Sequence, residues 1–110
     1  ACHARAIRAE DTDWHRVADL YDVLALAAPG PVVEVNRAVA HGRAHGAEIG
    51  LAVLDALGPD PMPRSPLPHA VRGDLLERLG RTAEASAAFA HAAALSSNEA
   101  ERSVLLSRSE

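Results

Sequence analysis

The 110-residue sequence has few aromatic residues, one cysteine and no lysine. Aromatic residues make up 3% of the chain and hydrophobic residues 48%, so a core has to be built mainly from alanine, leucine and valine. These small and aliphatic side chains favour closely packed helices over a sandwich of sheets. Cys2 has no second cysteine with which to form an intrachain disulfide. We therefore predict one all-α domain over residues 1 to 110.

The charge balance and the hydrophobic pattern argue against nucleic acid and membrane as partners. The formal net charge of -4 gives no basic footprint for nucleic acid, so we expect no direct contact between this segment and DNA or RNA. No stretch resembles a signal peptide or a membrane span, which favours the cytoplasm. All eleven basic residues are arginine, which is explained either by compositional bias, the simpler interpretation, or by bidentate recognition of anions.

Turn and capping residues divide the chain into about seven helices. Thr12 or Asp13, Thr82, and Asn98 with Glu101 are suited to cap helices, and five of the seven prolines fall in the one long loop over residues 58 to 68. The sequence ACHARA has no initiator Met and reads as the interior of a helix, so we expect a fragment of a longer protein with a truncated first helix. The helices are expected over residues 1 to 9, 13 to 28, 31 to 44, 47 to 57, 66 to 80, 82 to 95 and 98 to 107.

Residues 69 to 95 have the spacing of small and large side chains that a tight helix pair needs. Gly73 would allow a second helix to approach closely, Gly80 would end the first helix, and Ala85 and Phe89 would pack from the second. This is the tetratricopeptide pattern. Related positions recur about every 34 residues, the length of one such unit. We predict a right-handed stack of antiparallel helix pairs with a capping helix at the C-terminus.

Three further side chains have predicted structural roles. Trp14 and Tyr21 fall on one face of a helix, where we expect core packing, with a partner-binding hot spot as the alternative. Asn36 lies on the apolar stripe of its helix, so its amide should hydrogen-bond a neighbouring element, with Arg37 nearby.

The leading helix of each pair should line the inner surface of the stack. This mixed apolar and charged strip is our candidate site for a protein partner, and a solvated face without function is the alternative. The strip contains His3, Ile7, Val35, Val39, Arg43, Asp74, Glu77 and Arg78.

Histidines offer the main hint of catalysis or metal binding. His41 and His45 are four residues apart and could ligate zinc from one helix face, but a surface position near a helix end is the simpler interpretation. Cys2 and His3 are adjacent on a helix and therefore point in different directions, which disfavours a nucleophile pair. We predict no enzymatic activity, no metal and no cofactor.

Six phrases across the chain resemble one protein family: CHARA, TDWHRVADLYDVL, PVVEVNRAVA, GLAVLDAL, AVRGDLLERLGR and NEAERSVLL. They are similar to phrases in the C-terminal tetratricopeptide-like extension of a group of bacterial extracytoplasmic-function sigma factors. Gly30 stands where that family tends to have Ser, Val35 stands where it tends to have Leu, and the loop over residues 58 to 68 is not matched.

The resemblance implies a regulatory protein-contact module. In such proteins the N-terminal sigma domains bind the promoter and the core polymerase, and the extension controls sigma activity. The implied partners are the sigma N-terminal domains, RNA polymerase or a dedicated regulator. The alternative is a stand-alone tetratricopeptide-like scaffold that binds an unrelated protein.

Overall fold

The computed structural model describes residues 13 to 58 and 61 to 109, and all the regular structure in these two ranges is α-helical. This confirms the all-α class. The first of the seven predicted helices, over residues 1 to 9, lies outside the described ranges. The six described helices are α1 (Trp14–Ala27), α2 (Pro31–His45), α3 (Ala47–Asp55), α4 (Leu67–Arg78), α5 (Thr82–Leu95) and α6 (Glu99–Arg108).

Two of the predicted helix caps are present. Asp13 caps α1, with its carboxylate accepting a hydrogen bond from the Arg16 backbone N–H at 3.2 Å. Asn98 caps α6 and accepts from the Glu101 N–H at 3.0 Å. Each cap satisfies a backbone donor that the first helical turn leaves without an intrahelical partner.

The predicted cap at Thr82 is wrong, because Thr82 is the first residue of α5 and Arg81 occupies the cap position without a side-chain cap bond. Arg81 instead pairs with Glu84 through two hydrogen bonds of 2.9 and 2.7 Å. A Glu in the first turn and a cation that pairs with it therefore replace a hydroxyl cap at this helix start.

Glycines with a positive φ lie in two of the short connections between helices. Gly46 has a φ of 106° and is the one residue between α2 and α3, so these helices fold back on each other. Gly80 has a φ of 78° and ends α4, as predicted. The Gly80 N–H donates to Glu77 O and the Arg81 N–H donates to Leu76 O, both at 3.0 Å, which is the Schellman pattern of a glycine-ended helix.

Close helix contacts centre on glycines that face another glycine or a ring. A Cβ atom added to Gly73 would lie 2.7 Å from the Phe89 ring, and one added to Gly50 would lie 2.7 Å from Gly42 Cα. The first contact confirms the prediction for Gly73, and Phe89 and Ala85 are buried beside it. The contact between Gly42 and Gly50 was not predicted. It brings α2 and α3 together as Gly73 brings α4 and α5 together.

Each helix packs mainly on its neighbours in sequence, and α2 also contacts α4. The core is formed by α2, α3, α4 and α5 together, with one residue from α6. Its buried members are Val35, Ala38, Leu51, Leu54, Val71, Leu75, Leu76, Ala85, Ala88, Phe89, Ala92, Ala93 and Leu105. No helix in the described ranges is both long enough and apolar enough to span a bilayer.

Helix α1 departs from the predicted core packing. Its one buried residue is Ala18, while the large aliphatic side chains of Leu20 and Leu24 are 59% and 42% exposed. Trp14 and Tyr21 are only half-buried and do not belong to the core, so their predicted core role is wrong. Within residues 13 to 58 and 61 to 109, α1 packs mainly on α2, and contact with one neighbouring helix buries a narrower stripe than contact with two.

Candidate functional site

Part of the predicted strip forms a cleft between α2 and α4. The cleft has a volume of about 170 Å³ and brings Val39 together with Asp74 and Arg78, three of the predicted partner-binding residues. Ala70, Val71 and Leu75 complete its lining. The predicted strip is thus a concave surface at this point, with an apolar floor and a charged edge.

A larger cleft meets the first one at Ala70. Its volume is about 480 Å³, and it lies between the loop before α4, the end of α5 and the start of α6. We call the two clefts together the α4 groove. The larger cleft was not predicted, because four of its ten lining residues come from the proline-rich loop over residues 58 to 68, for which no pattern was recognised. It is lined by Arg64, Ser65, Pro66, Leu67, Ala70, Leu95, Ser97, Asn98, Glu101 and Leu105.

Hydrogen bonds fix the polar wall of the larger cleft. The Ser96 hydroxyl donates to Glu101 Oε1 at 2.8 Å, and Ser96 Oγ accepts from the Asn98 N–H at 3.4 Å. In a capping box, the Glu101 carboxylate would accept a hydrogen bond directly from the Asn98 N–H. Here the Ser96 hydroxyl lies between the two groups and bonds to both. Arg64 and Glu101 both line the cleft, which therefore carries a basic and an acidic side chain, and Arg64 makes no ion pair within the described ranges.

The carboxylates of the predicted strip pair with arginines. Asp74 contacts Arg78 at 2.9 Å, and Arg108 of α6 contacts Glu77 at 2.7 Å and Asp74 at 3.4 Å. The hydrogen bond to Glu77 raises the pKa of Arg108 above its usual value. The Arg108 guanidinium also lies 4.3 Å from the centre of the Phe89 ring, within cation–π range. Asp74 and Glu77 therefore hold α6 in place, and of the two only Asp74 also lines the groove.

Arg108 was missed in the sequence because we expected the last helix to fray near Ser107. The helix continues to Arg108, whose ion pairs fasten its last turn to α4. The Ser86 hydroxyl, which donates to the Ser109 carbonyl, fastens the following residue to α5. The sequence does show a basic residue near the end of this helix, which is typical of a helix C-terminus. It does not show which carboxylates pair with Arg108, because Asp74 and Glu77 lie more than 30 residues away.

The other members of the predicted strip do not join the groove. Val35 is completely buried in the core and cannot contact a partner, so its predicted role is wrong. Arg43 is exposed but lies 5.7 Å from the centre of the Trp14 ring, on the side of α2 that faces α1. His3 and Ile7 lie outside the described ranges.

A polar cluster joins α1 to α2, and we call it the Asp22 clasp. Asp22 Oδ1 accepts from Arg37 Nε at 2.7 Å and from His41 Nε2 at 2.8 Å. The bond from Arg37, followed by that from His41, holds the pKa of Asp22 below its ordinary value of 3.8. Asn36 is half-buried, and the hydrogen bonds of the described ranges include none from its amide. The hydrogen bond to a neighbouring helix that we predict for Asn36 is made instead by the adjacent Arg37, to Asp22.

The histidines of α1 and α2 lie close together. The His41 and His45 rings are 5.4 Å apart between centres, and the His15 and His45 rings 5.0 Å apart. His41 uses its Nε2 for Asp22. Within the two described ranges, no set of three or more His, Cys, Asp and Glu side chains is arranged to hold a metal ion.

Comparison with known proteins finds a relative that is much longer than this chain. The chain is 45% identical over 101 residues to an uncharacterized protein of Rhizobium meliloti (strain 1021). No family model and no solved structure matches the chain. The match covers 92% of the chain but 24% of the relative, so the chain spans about a quarter of the length of the curated protein that it resembles.

Proposed function

We propose that this chain is the C-terminal regulatory domain of a bacterial extracytoplasmic-function sigma factor. In this role it modulates transcription initiation in the cytoplasm by contacting the sigma N-terminal domains, with RNA polymerase or a dedicated regulator as further possible partners. The observation that carries the proposal is the set of six phrases, from CHARA to NEAERSVLL, which resemble this extension over most of the chain. The match to one quarter of a longer protein agrees with a place inside a larger polypeptide.

We propose a tetratricopeptide-like stack as the architecture of this domain. Two helix pairs, α2 with α3 and α4 with α5, each have a close contact at a glycine, and α2 touches α4 as leading helices do in such stacks. Helix α6 follows as a single helix and covers the end of the second pair. These features support the stack, and its handedness is part of the proposal.

The α4 groove is the surface that we propose for the partner. Its floor of Leu67, Leu95 and Leu105 can take up an apolar side chain, and its rim of Arg64 and Glu101 can pair with charges that flank it. This use of the groove requires no enzymatic step and no cofactor.

The first test is to read the coding sequence on both sides of the chain and then to assay the complete protein. We expect sigma domains upstream of Ala1. In the complete protein, Ala70→Glu places a charge where the two clefts meet and should change promoter-dependent transcription. Ala52→Glu, on an exposed position of α3, is the matched control and should leave transcription unchanged. Circular dichroism of both variants would show that the helices remain folded.

A binding measurement separates the proposal from the alternative scaffold. The purified sigma domains should bind this domain, and Ala70→Glu should weaken the binding while Ala52→Glu should not. If sigma domains are encoded upstream but bind the wild-type domain no better than the Ala70→Glu variant, the groove is not their site. If no sigma domains are encoded, the stand-alone scaffold remains and the regulatory proposal is lost.

A further inference from the structure

The outer face of α1 is apolar and lacks a partner helix in the described ranges. Leu20, Val23 and Leu24 are 59%, 64% and 42% exposed, and their spacing of three and four residues places them side by side on one face. Asp19, on the same helix, is exposed and makes no ion pair within residues 13 to 58 and 61 to 109. We call these four residues the α1 face. It presents large aliphatic side chains next to an unpaired negative charge.

The opposite end of the helix row carries a cleft between α5 and α6. Its volume is about 380 Å³, and its α5 wall consists of Ala90, Ala93 and Ala94. Its α6 wall consists of Leu106, which is 44% exposed, and Arg102. The nearest carboxylate partner of Arg102 is Glu99, at 3.6 Å, a loose ion pair on the surface. This α5–α6 cleft is therefore mainly apolar, with small side chains on its α5 wall and a leucine and an arginine on its α6 wall.

We propose that the α1 face of one copy of this chain docks into the α5–α6 cleft of a second copy. The side chains are complementary in size, because the leucines and valine of the α1 face can pack against the alanines on the α5 wall of the cleft. The charges are complementary as well, because Asp19, which makes no ion pair within the described ranges, can meet Arg102 of the other copy.

The proposed contact would continue the packing seen inside each copy. Within each copy, α3 packs on the α2 that precedes it, α5 packs on α4, and α6 packs on α5. The α1 helix of a second copy would occupy the position after α6 and extend the row of helices. The two surfaces differ from each other, so the contact is heterologous and joins copies head to tail, which allows chains longer than a dimer.

The test is the mass of the protein in solution over a range of concentrations, measured by sedimentation velocity. We expect reversible growth beyond the monomer for the wild type. Leu20→Glu on the α1 face and Leu106→Glu in the cleft should each weaken association by about tenfold or more, because each places a charge in the apolar centre of the contact. Ile49→Glu, which changes an equally exposed aliphatic residue of α3, is the control and should leave association unchanged.

Mixing the two variants tests the head-to-tail geometry. The Leu20→Glu variant retains an intact cleft and the Leu106→Glu variant retains an intact α1 face, so an equimolar mixture should form a one-to-one dimer and stop there. A contact between two identical faces would give no such rescue and would overturn the proposal. It is likewise overturned if the wild type stays monomeric at every concentration, since another segment or partner would then cover the α1 face.

Reversing the charges provides an independent check. Asp19→Arg and Arg102→Asp should each weaken association, and the double variant should recover it, because the opposite charges then meet with exchanged signs. If the double variant associates no better than the single variants, Asp19 and Arg102 do not meet in the contact.

Discussion

The α4–α5 pair and the α1–α2 pair are both neighbouring helices, yet different forces hold them together. Between α4 and α5 the contact is apolar, with the fully buried Phe89 against Gly73. Between α1 and α2 the one buried residue of α1 is Ala18, and the directed contacts are those of the half-exposed Asp22 clasp. Apolar burial stabilises in proportion to area and is indifferent to pH, whereas half-exposed ion pairs contribute little and depend on pH and salt. The first pair should therefore determine global stability, and the second should open first.

The largest effect is expected from removing the Phe89 ring. Phe89→Ala leaves a cavity in the tightest part of the core, and we expect the free energy of unfolding to fall by about 3–5 kcal/mol. Urea denaturation followed by circular dichroism measures the loss. Val104→Ala, at an exposed apolar position of α6, is the control and should stay within about 0.5 kcal/mol of the wild type. Similar losses in the two variants would refute the central role of the ring.

A smaller loss is expected from filling the space above Gly73. Gly73→Leu would push against the Phe89 ring and should cost about 1–3 kcal/mol or more. In the Phe89→Ala background the new side chain has room, so the double variant should be more stable than the sum of the two losses predicts. Additive losses would show that the two residues do not share one contact.

The control for the Gly73 change is Gly30→Ser. A Cβ atom on Gly30 meets nothing within 4 Å, and Gly30 is the residue before the first turn of α2, where serine is a favoured cap. This variant should keep or slightly raise the free energy of unfolding.

Breaking the Asp22 clasp should have a local effect. Asp22→Asn removes the charge that Arg37 and His41 share, and we expect a global loss of no more than about 1 kcal/mol. Hydrogen exchange of the α1 amides should accelerate while that of α4 and α5 stays unchanged. Asp19→Asn, on the same helix but without an ion pair, is the matched control at protein concentrations low enough to keep the chain monomeric. Faster exchange throughout the molecule would contradict the local assignment.

Acidification should produce the smallest and most selective change. Because the pKa of Asp22 is lower in the folded protein than its ordinary value of 3.8, its stabilising contribution is complete above that value. The contribution is lost as the pH falls through the lower folded pKa, when the folded carboxylate takes up a proton. Exchange of α1 amides, followed from about pH 5 downward, should lose this part of its protection in the wild type. The same pH step should be missing from the Asp22→Asn variant.

The helices could be read from the sequence because their ends carry local signals. Asp13, Gly80 and Asn98 act within a few residues of themselves, and the contact between Gly73 and Phe89 follows from one small and one large residue at the repeat spacing. These features depend on residues that are near one another in the sequence. They account for the confirmed part of the fold.

The candidate site was harder to predict because it depends on how each helix is rotated. The repeat register indicated which helices line a surface, but Val35 is fully buried while Val39, one turn later, lines the groove. The pairing of Arg108 with Glu77 joins residues that are remote in sequence. The larger cleft needs the proline-rich loop to be placed against α6. Tertiary packing settles all three features, and no local pattern encodes them.

The packing of each helix on its sequence neighbours has a consequence for how the chain acquires its structure during synthesis. Contacts between segments that are near in sequence require little loop closure, so folding should be fast. The α2–α3 pair can form its contact between Gly42 and Gly50 as soon as α3 has left the ribosome, before α6 has been translated. Phe89 finds Gly73 later, and Arg108 joins last. Folding of the nascent polypeptide should therefore proceed from the N-terminal pairs toward α6, and the α4 groove should be complete only once α6 has been translated.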